Sequence, residues 1–564
     1  MVTPSAFPGS RGMRIRIVVV HAIVFGGCWI ALVARATTLA AFEPALRELG
    51  ETQSAGVVTW DDRRGAIRDR QGNSLAVSVE SDSVFIRPFD VGDREATAGL
   101  LAQTLGLPAE EVLGRLVSPR SFVWVKRFTS LAEGARVRAL RLRGVGTASE
   151  ARRAVTRAGF ADAVIGSVTV DGVGASGIEQ RFDPELRGKR VRAAVLRDAR
   201  GTPMASRVGD ARAPAIAAGS DVTLTIDGEI QFAAEEALRE GVKAATAKGG
   251  IAIVVDPGSG AILALAERSA MPGGTRIAAV QTPIEPGSTL KALLFGLALS
   301  TGLDVRETVF CERGEMPLSG GVVRDDHRFG WLTWADVLKL SSNIGAAKLG
   351  RRMGAERFVS GLAAFGFGAA TDVDLPGEVA GSLRAARDWG EFGLATASFG
   401  QGISATPVQL MMAFSAIANG GELLTPQIVA RIDSAAGERL WASSRRVVRR
   451  VLSADVAREL RRLLARVVEQ GGTAPAARVR GVPVAGKTGT SQKPDPEGGY
   501  SSDGRIASFV GFAPVVEPKL VVGIWLDEPQ KSPYGGVVAA PVFAKIVEVA
   551  ARVLAVPVVP GGGD

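Results

Sequence analysis

Cysteine and histidine are almost absent, with two of each in 564 residues. Cys28 lies in an apolar N-terminal run and Cys311 far downstream, so no disulfide framework is implied. His21 and His327 are too few to complete a metal cluster with them. That excludes a Cys/His zinc centre and leaves only carboxylate sites open. No glycine-rich phosphate loop and no dinucleotide fingerprint occurs, and no cofactor is called for. Lysine is scarce as well: 12 of the 67 basic residues are lysine and 55 are arginine. No RNA- or DNA-binding motif matches, so the net charge of +9 reads as an arginine-rich solvated surface and not as a nucleic-acid footprint. Much of the excess falls in residues 131–213, with 16 Lys and Arg against 9 Asp and Glu.

Apolar material, by contrast, is plentiful. At 46 % hydrophobic residues the chain can fill large cores, and its length predicts two or three domains. The run IVVVHAIVFGGCWIALVA, residues 17–34, carries no full charge and follows Arg11, Arg14 and Arg16. Such a run spans a bilayer if its ends stretch or snorkel. A signal-peptide core is usually shorter, roughly 7–15 residues. The ARATTLA that follows imitates a cleavage site, which keeps removal as the alternative. The basic flank predicts a cytoplasmic segment 1–16, a transmembrane anchor 17–34 and the rest of the chain outside the cytoplasm.

Residues 36–60 read as a short helical connector. RRGAIRDRQGNSLAVSV (63–79) predicts two strands around a QGN turn. Helical periodicity follows over 92–118 and 131–143, with a strand at 122–128. GDARAPAIAAGSD (209–221) is linker-like. A second module then starts with VTLTID and a helix over 228–245. IAIVVDPGSGAILALAE (251–267) predicts a hairpin. Helices dominate to about residue 470, including one opened by Thr406-Pro407 and closed by Asn419-Gly420. Three strands and a final helix over 542–556 complete the pattern, and the tail PVVPGGGD is expected to be unstructured. The fold class is α+β: an antiparallel sheet flanked by helices.

Three places carry chemistry. In EPGSTLK (285–291), Ser288 follows a Pro-Gly turn at a helix start, and Lys291 lies about one turn on, on the same face. Lys291 is the only formal charge between Glu285 and Asp304. A serine needs an adjacent base to become a nucleophile, and a desolvated lysine can be that base, whereas arginine keeps its proton. A capping serine and a snorkelling lysine would give the same pattern. In KLSSNIGAAKLG (339–350), Ser341 and Asn343 sit on a turn leading into a helix, where a hydroxyl and a carboxamide can relay a proton and hold an amide. A plain N-cap reads identically. In VPVAGKTGTSQ (482–492), a strand ends in Lys487-Thr488-Gly489-Thr490. Lys487 and Thr488 can bind a carboxylate, Gly489 lets a backbone approach, and strand N–H groups can pair with a bound peptide. The Thr490 and Ser288 N–H groups are candidates for an oxyanion hole.

Together and in this order, S-x-x-K, S-x-N and K-T-G resemble the penicillin-binding proteins and serine β-lactamases. EPGSTLK, FGQGISATPVQL (399–410), LTIDGEIQ (224–231), DPGSGAILALA (256–266) and SFVGFAP (508–514) look like the class B penicillin-binding proteins. RGAIRDRQGNSLA (64–76) and GIEQRFDPELRG (177–188) resemble that family's non-catalytic pedestal. The SSN triplet and compact pedestal are most similar to the division-specific, FtsI-type branch. Two departures stand out. Ser342 occupies a position where the family often has aspartate, and Lys189-Arg190-Val191 stand where another glycine is expected after LRG.

The resemblance implies a pedestal over 35–215, a transpeptidase domain over 216–556 and a flexible tail over 557–564. It implies a peptidoglycan D,D-transpeptidase that acts through a serine acyl-enzyme, without cofactor or metal. Ser288 is then the nucleophile and Lys291 its base, with Ser341 and Asn343 in the relay. Lys487, Thr488, Gly489 and Thr490 hold the substrate. Expected partners are stem peptides ending in D-Ala-D-Ala, β-lactams, the inner membrane, a polytopic glycosyltransferase and other division proteins, with no nucleic acid. The implied setting is a single-pass anchor in the inner membrane with the catalytic domain in the periplasm, working on the septal cell wall. Alternatives are the elongation-specific sister enzyme, a hydrolase of the β-lactamase or carboxypeptidase kind, and a β-lactam sensor or scaffold without turnover. His327 is read as a surface-loop residue.

Overall fold

The computed structural model of the protein describes residues 10–42, 55–60, 63–188, 191–196, 218–269, 276–495 and 499–558. They form two units. The smaller holds a helix, Ser10–Phe42, and an antiparallel strand pair, Ala55–Trp60 with Val191–Leu196. Ile15–Thr38 within the helix has a mean hydropathy of 2.5 and is unburied, so it is long and apolar enough to cross a membrane. The helical connector expected over 36–60 is only partly helical, because Ala55–Trp60 is a strand. Its partner comes from a distant part of the chain, which local periodicity cannot reveal. Of the expected linker, 209–217 lies outside the described residues, as do most of the tail and the first nine residues.

The larger unit opens with a seven-stranded sheet. In order, its strands are Arg439–Ala442, Val429–Asp433, Asp221–Leu224, Ile67–Arg68, Ser74–Ile86 and Val123–Thr129. Val145–Val155 also pairs with Ser74–Ile86. Only the contact of Ile67–Arg68 with Asp221–Leu224 is parallel. The QGN turn forms because the Asp69 carboxylate accepts from the Gln71 and Asn73 N–H groups at 3.0 and 2.8 Å. The periodicity of 92–118 resolves into two helices, Arg94–Leu105 and Ala109–Leu116, parted at Gly106 and Pro108. Leu101, Leu105, Val112 and Leu116 are buried with Val84, Ile86 and Val125, each contributing roughly 1.5–3 kcal/mol by leaving water.

The stretches 64–76 and 177–188 meet in a buried charge cluster. Arg64 pairs with Glu179 and with Asp183 (2.5 Å), and Arg153 pairs with Glu179 at 2.5 Å. The side chains of Arg64, Arg153 and Glu179 are 7, 8 and 1 % exposed, so each charge depends on its partner. Gly65 N–H, next in sequence, donates to the Leu186 carbonyl at 2.8 Å and closes the same joint.

A second sheet is wholly antiparallel, in the order Ala485–Pro494, Tyr500–Ala513, Leu520–Asp527, Gly249–Val255, Ile262–Ser269. Alternation along Leu520–Asp527 divides its side chains between two cores. Val522, Ile524 and Leu526 pack with the helices Gly228–Ala245 and Ala540–Val553, while Val521 and Trp525 join the larger core of the helical part. Pro407–Ala418, capped by a reciprocal Thr406–Gln409 box, is buried along its whole length. The α+β arrangement is as the pattern of elements predicts.

Candidate active site

Ser288 sits in a single 3-10 turn, Gly287–Thr289, that runs directly into the helix Leu290–Ser300. Gly287 has φ +55°, and a Cβ there would lie 2.8 Å from the Thr490 carbonyl, so only glycine lets the strand pack against the turn. The Gly287 N–H donates to the Gly400 carbonyl at 3.1 Å, bringing FGQG against the Ser288 turn. Lys291 is fully buried on the apolar helix that its neighbours predict. Its Nζ donates to the Ser341 carbonyl at 2.6 Å, to Asn343 Oδ1 at 2.7 Å and to Ser341 Oγ at 3.2 Å. Burial lowers its pKa to about 7, against the opposing pull of the Asp325 and Asp326 charges. Among the described residues no hydrogen bond joins Lys291 to Ser288 Oγ. Catalytic hydrogen bonds often tighten only when substrate is bound.

Ser341 closes the helix Trp334–Leu340 in the left-handed region, at φ 63° and ψ 36°. A serine there is strained and persists because its flanks fix it. Ser342 caps the next helix, Asn343–Met353, accepting from the Gly345 N–H. Asn343 Nδ2 donates to the Arg324 carbonyl at 2.9 Å, which leaves Oδ1 facing Lys291.

Lys487 is fully buried on the edge strand Ala485–Pro494, and its Nζ donates to Ser341 Oγ at 2.8 Å. Burial first, and the Lys291 charge second, push its pKa well below that of a free lysine. Two lysines from separate elements thus converge on one hydroxyl, whose own proton remains free to be donated. Thr488 Oγ1 lies 2.9 Å from Thr473 Oγ1. Gly489 leaves no room for a side chain: a Cβ would come 2.9 Å from Thr289 Cγ2 and 3.2 Å from the Pro286 carbonyl. Thr490 Oγ1 donates to the Pro533 carbonyl at 3.2 Å, so its hydroxyl is held by protein.

Each candidate residue therefore lies at one junction of the Ser288 turn, the two-helix corner and the edge strand. Residues 250–548 match the penicillin binding protein transpeptidase domain, and residues 61–224 match the penicillin-binding protein dimerisation domain. The chain belongs to the class B penicillin-binding proteins. The probable peptidoglycan D,D-transpeptidase PenA of Neisseria meningitidis is 33 % identical over 89 % of this chain and 86 % of its own length. The peptidoglycan D,D-transpeptidase FtsI of Escherichia coli is 30 % identical over 88 % and 85 %. The structure of penicillin binding protein 3 from Mycobacterium tuberculosis, complexed with aztreonam, superposes with a TM-score of 0.68 at 27 % identity, covering 89 % of this chain and 98 % of that one.

In this penicillin-binding protein several residues at the junction carry no sequence signal of their own. Asp325 accepts from the Ser342 hydroxyl (2.7 Å) and from the Asn343 and Ile344 N–H groups. It belongs to VVRDDHRFG, where the histidine draws attention first. His327 itself is exposed and rests on Phe329, ring centroids 5.8 Å apart. Glu285, just before the Ser288 turn, accepts from Tyr500 OH at 3.0 Å and from the Gly402 N–H at 2.8 Å. Within the basic stretch, Arg138 pairs with Asp82 (2.7 Å) and Arg153 with Glu179 (2.5 Å).

Proposed function

We propose that Ser288 is the nucleophile of a peptidoglycan D,D-transpeptidase and that the buried Lys291–Ser341–Lys487 junction moves its protons. The observation that carries this reading is the convergence of both lysines on Ser341 Oγ, at 3.2 and 2.8 Å, beside the Ser288 turn. Ser288 Oγ attacks the carbonyl between the two terminal D-alanines of a stem peptide and gives its proton to neutral Lys291. The Ser288 and Thr490 N–H groups receive the developing oxyanion. The C–N bond then breaks. Ser341 passes its proton to the departing D-alanine nitrogen and is reprotonated from Lys291. An amine of a neighbouring stem attacks the acyl ester and loses its proton to Lys291, the ester C–O bond breaks, and Ser288 Oγ takes that proton back from Lys291 as it leaves. Asn343 orients Lys291. Lys487, Thr488 and Gly489 hold the terminal carboxylate and the peptide backbone along the strand. β-Lactams acylate Ser288 through the same steps.

The setting proposed is a single-pass anchor in the inner membrane with the catalytic part in the periplasm, and a role in septal wall synthesis. Ile15–Thr38, with Arg11, Arg14 and Arg16 around its start, supports the anchor and a cytoplasmic N-terminus. The septal role, with docking to a polytopic glycosyltransferase and other division proteins, is what the resemblance to the FtsI-type branch implies, and a relative of that name is 30 % identical to this chain. The deciding experiment is labelling of the purified protein with a fluorescent penicillin and peptide mapping of the adduct. A stable adduct on Ser288, absent in Ser288→Ala, is expected. Labelling that persists in Ser288→Ala overturns the assignment. A tagged copy concentrated along the side wall and not at midcell would replace the septal role with an elongation role.

A further inference from the structure

We propose that Asp325 is a positioning residue of the acyl-transfer centre. Its carboxylate fixes the start of Asn343–Met353 and, through it, holds Asn343 and Ser341 against Lys291. The inference rests on the reading of the site just given.

Three donors converge on this one side chain. Asp325 Oδ2 accepts from the Ser342 hydroxyl at 2.7 Å, and Oδ1 accepts from the Ile344 N–H at 3.0 Å and from the Asn343 N–H. Those N–H groups belong to the first turn of an eleven-residue helix, where unpaired donors and the helix dipole favour an anion. The carboxylate reaches them from a separate loop, which is itself tied back by the Asp325 N–H donating to the Gly314 carbonyl at 3.0 Å. Its neighbour Arg324 accepts from Asn343 Nδ2, so this dipeptide fixes the Asn343 backbone and also sets which amide atom faces Lys291.

Ser341 stands immediately before this anchored turn in a left-handed conformation. Such a residue keeps its place only if both flanks hold it. The helix Trp334–Leu340 is one flank, and the Ser342–Ile344 segment bound by Asp325 is the other. Asp326 provides a natural comparison. It is exposed and makes no hydrogen bond or ion pair among the described residues, although its charge also acts on Lys291. The charged groups bearing on Lys291 are thus Asp325 and Asp326 on one side and Lys487 on the other. Of the two carboxylates, only Asp325 is also wired to the geometry.

The test is the rate of acylation of the full-length protein by a fluorescent penicillin across pH, with binding and acylation steps separated. Asp325→Asn is expected to lower the plateau acylation rate about tenfold with little change in the binding step, and to move the acid limb to lower pH. Asp326→Asn is expected to move the limb the same way and keep the plateau within about twofold. Asp325→Ala combined with Ser342→Asp puts a carboxylate back on the same helix start from the capping position and is expected to recover most of the loss. A wild-type plateau in Asp325→Asn, or an equal loss in Asp326→Asn, overturns the proposal. If Asp325→Asn gives no cooperative melt, the Asp325→Ala/Ser342→Asp pair decides, and no recovery of labelling overturns it. Wild-type protein that fails to label at Ser288 would instead contradict the site reading itself.

Discussion

Lys291 and Lys487 share one acceptor, the Ser341 hydroxyl, at 3.2 and 2.8 Å. Both are fully buried, and two ammonium groups meeting at one oxygen in a dry site repel strongly. At least one must be neutral near pH 7, which is what a base requires.

Penicillin acylation is therefore expected to rise with pH through about 7, where burial places Lys291, and to level off above it. Lys291→Arg, which cannot deprotonate, is expected to lose at least about a hundredfold. Stability follows the same group. The folded value lies below that of a free lysine, so the unfolded chain binds the extra proton and stability rises with pH between about 7 and the ordinary lysine range. Denaturant unfolding of wild type against Lys291→Met at pH 7 and pH 9 checks the sign: the advantage of Met should shrink at the higher pH.

Ser341→Gly removes the shared acceptor while relaxing the left-handed backbone. Its melting temperature should stay near wild type or rise. Its acylation rate should fall by about a hundredfold or more, since the relay is lost. A rate near wild type would mean that the two lysines work without the hydroxyl.

Gly400 has φ +86°, and a Cβ on it would fall onto the Gly287 backbone. Gly400→Ala should push on the turn that carries Ser288 and leave the buried lysines alone. Acylation should drop severalfold or more, because small misplacements of reacting atoms are costly. Mass spectrometry of the adduct formed with time checks this.

In the stretch that matches the dimerisation domain, Glu179→Ala strands Arg64 and Arg153 without their shared partner. Removing one member of a buried ion pair costs about 3–5 kcal/mol, so a marked fall in unfolding midpoint is expected. Penicillin labelling at low temperature should persist, since none of the three touches the Ser288 junction.

The residues that converge on Ser341 are legible in the sequence because each proposed role restricts residue type at short spacing. Lys291 among leucines in an arginine-rich chain reads as buried before any coordinates are seen. The helix caps at Thr406 and the turn at Gln71-Gly72-Asn73 are local and read equally well. What escaped depends on contacts between distant segments. Asp325 is an ordinary aspartate until the loop that bears it meets the Asn343 helix. The pairing of Ala55–Trp60 with Val191–Leu196, and the clearance that Gly400 gives to Gly287, have no periodic trace in the chain.

The strand Asp221–Leu224 has Ile67–Arg68 on one side and Val429–Asp433 on the other. Nearby, Gln71 reaches Asp227, the cap of the helix Gly228–Ala245, at 2.6 Å. A fragment begun at residue 218 would keep all three motifs and the whole five-stranded sheet. It would also bare the backbone edge where Ile67–Arg68 lies and release that cap from its clamp, inviting self-association. Residues from 218 onward are thus no detachable cassette: the chain before residue 188 is sewn into one of their sheets, and a cut at 218 runs through a seam.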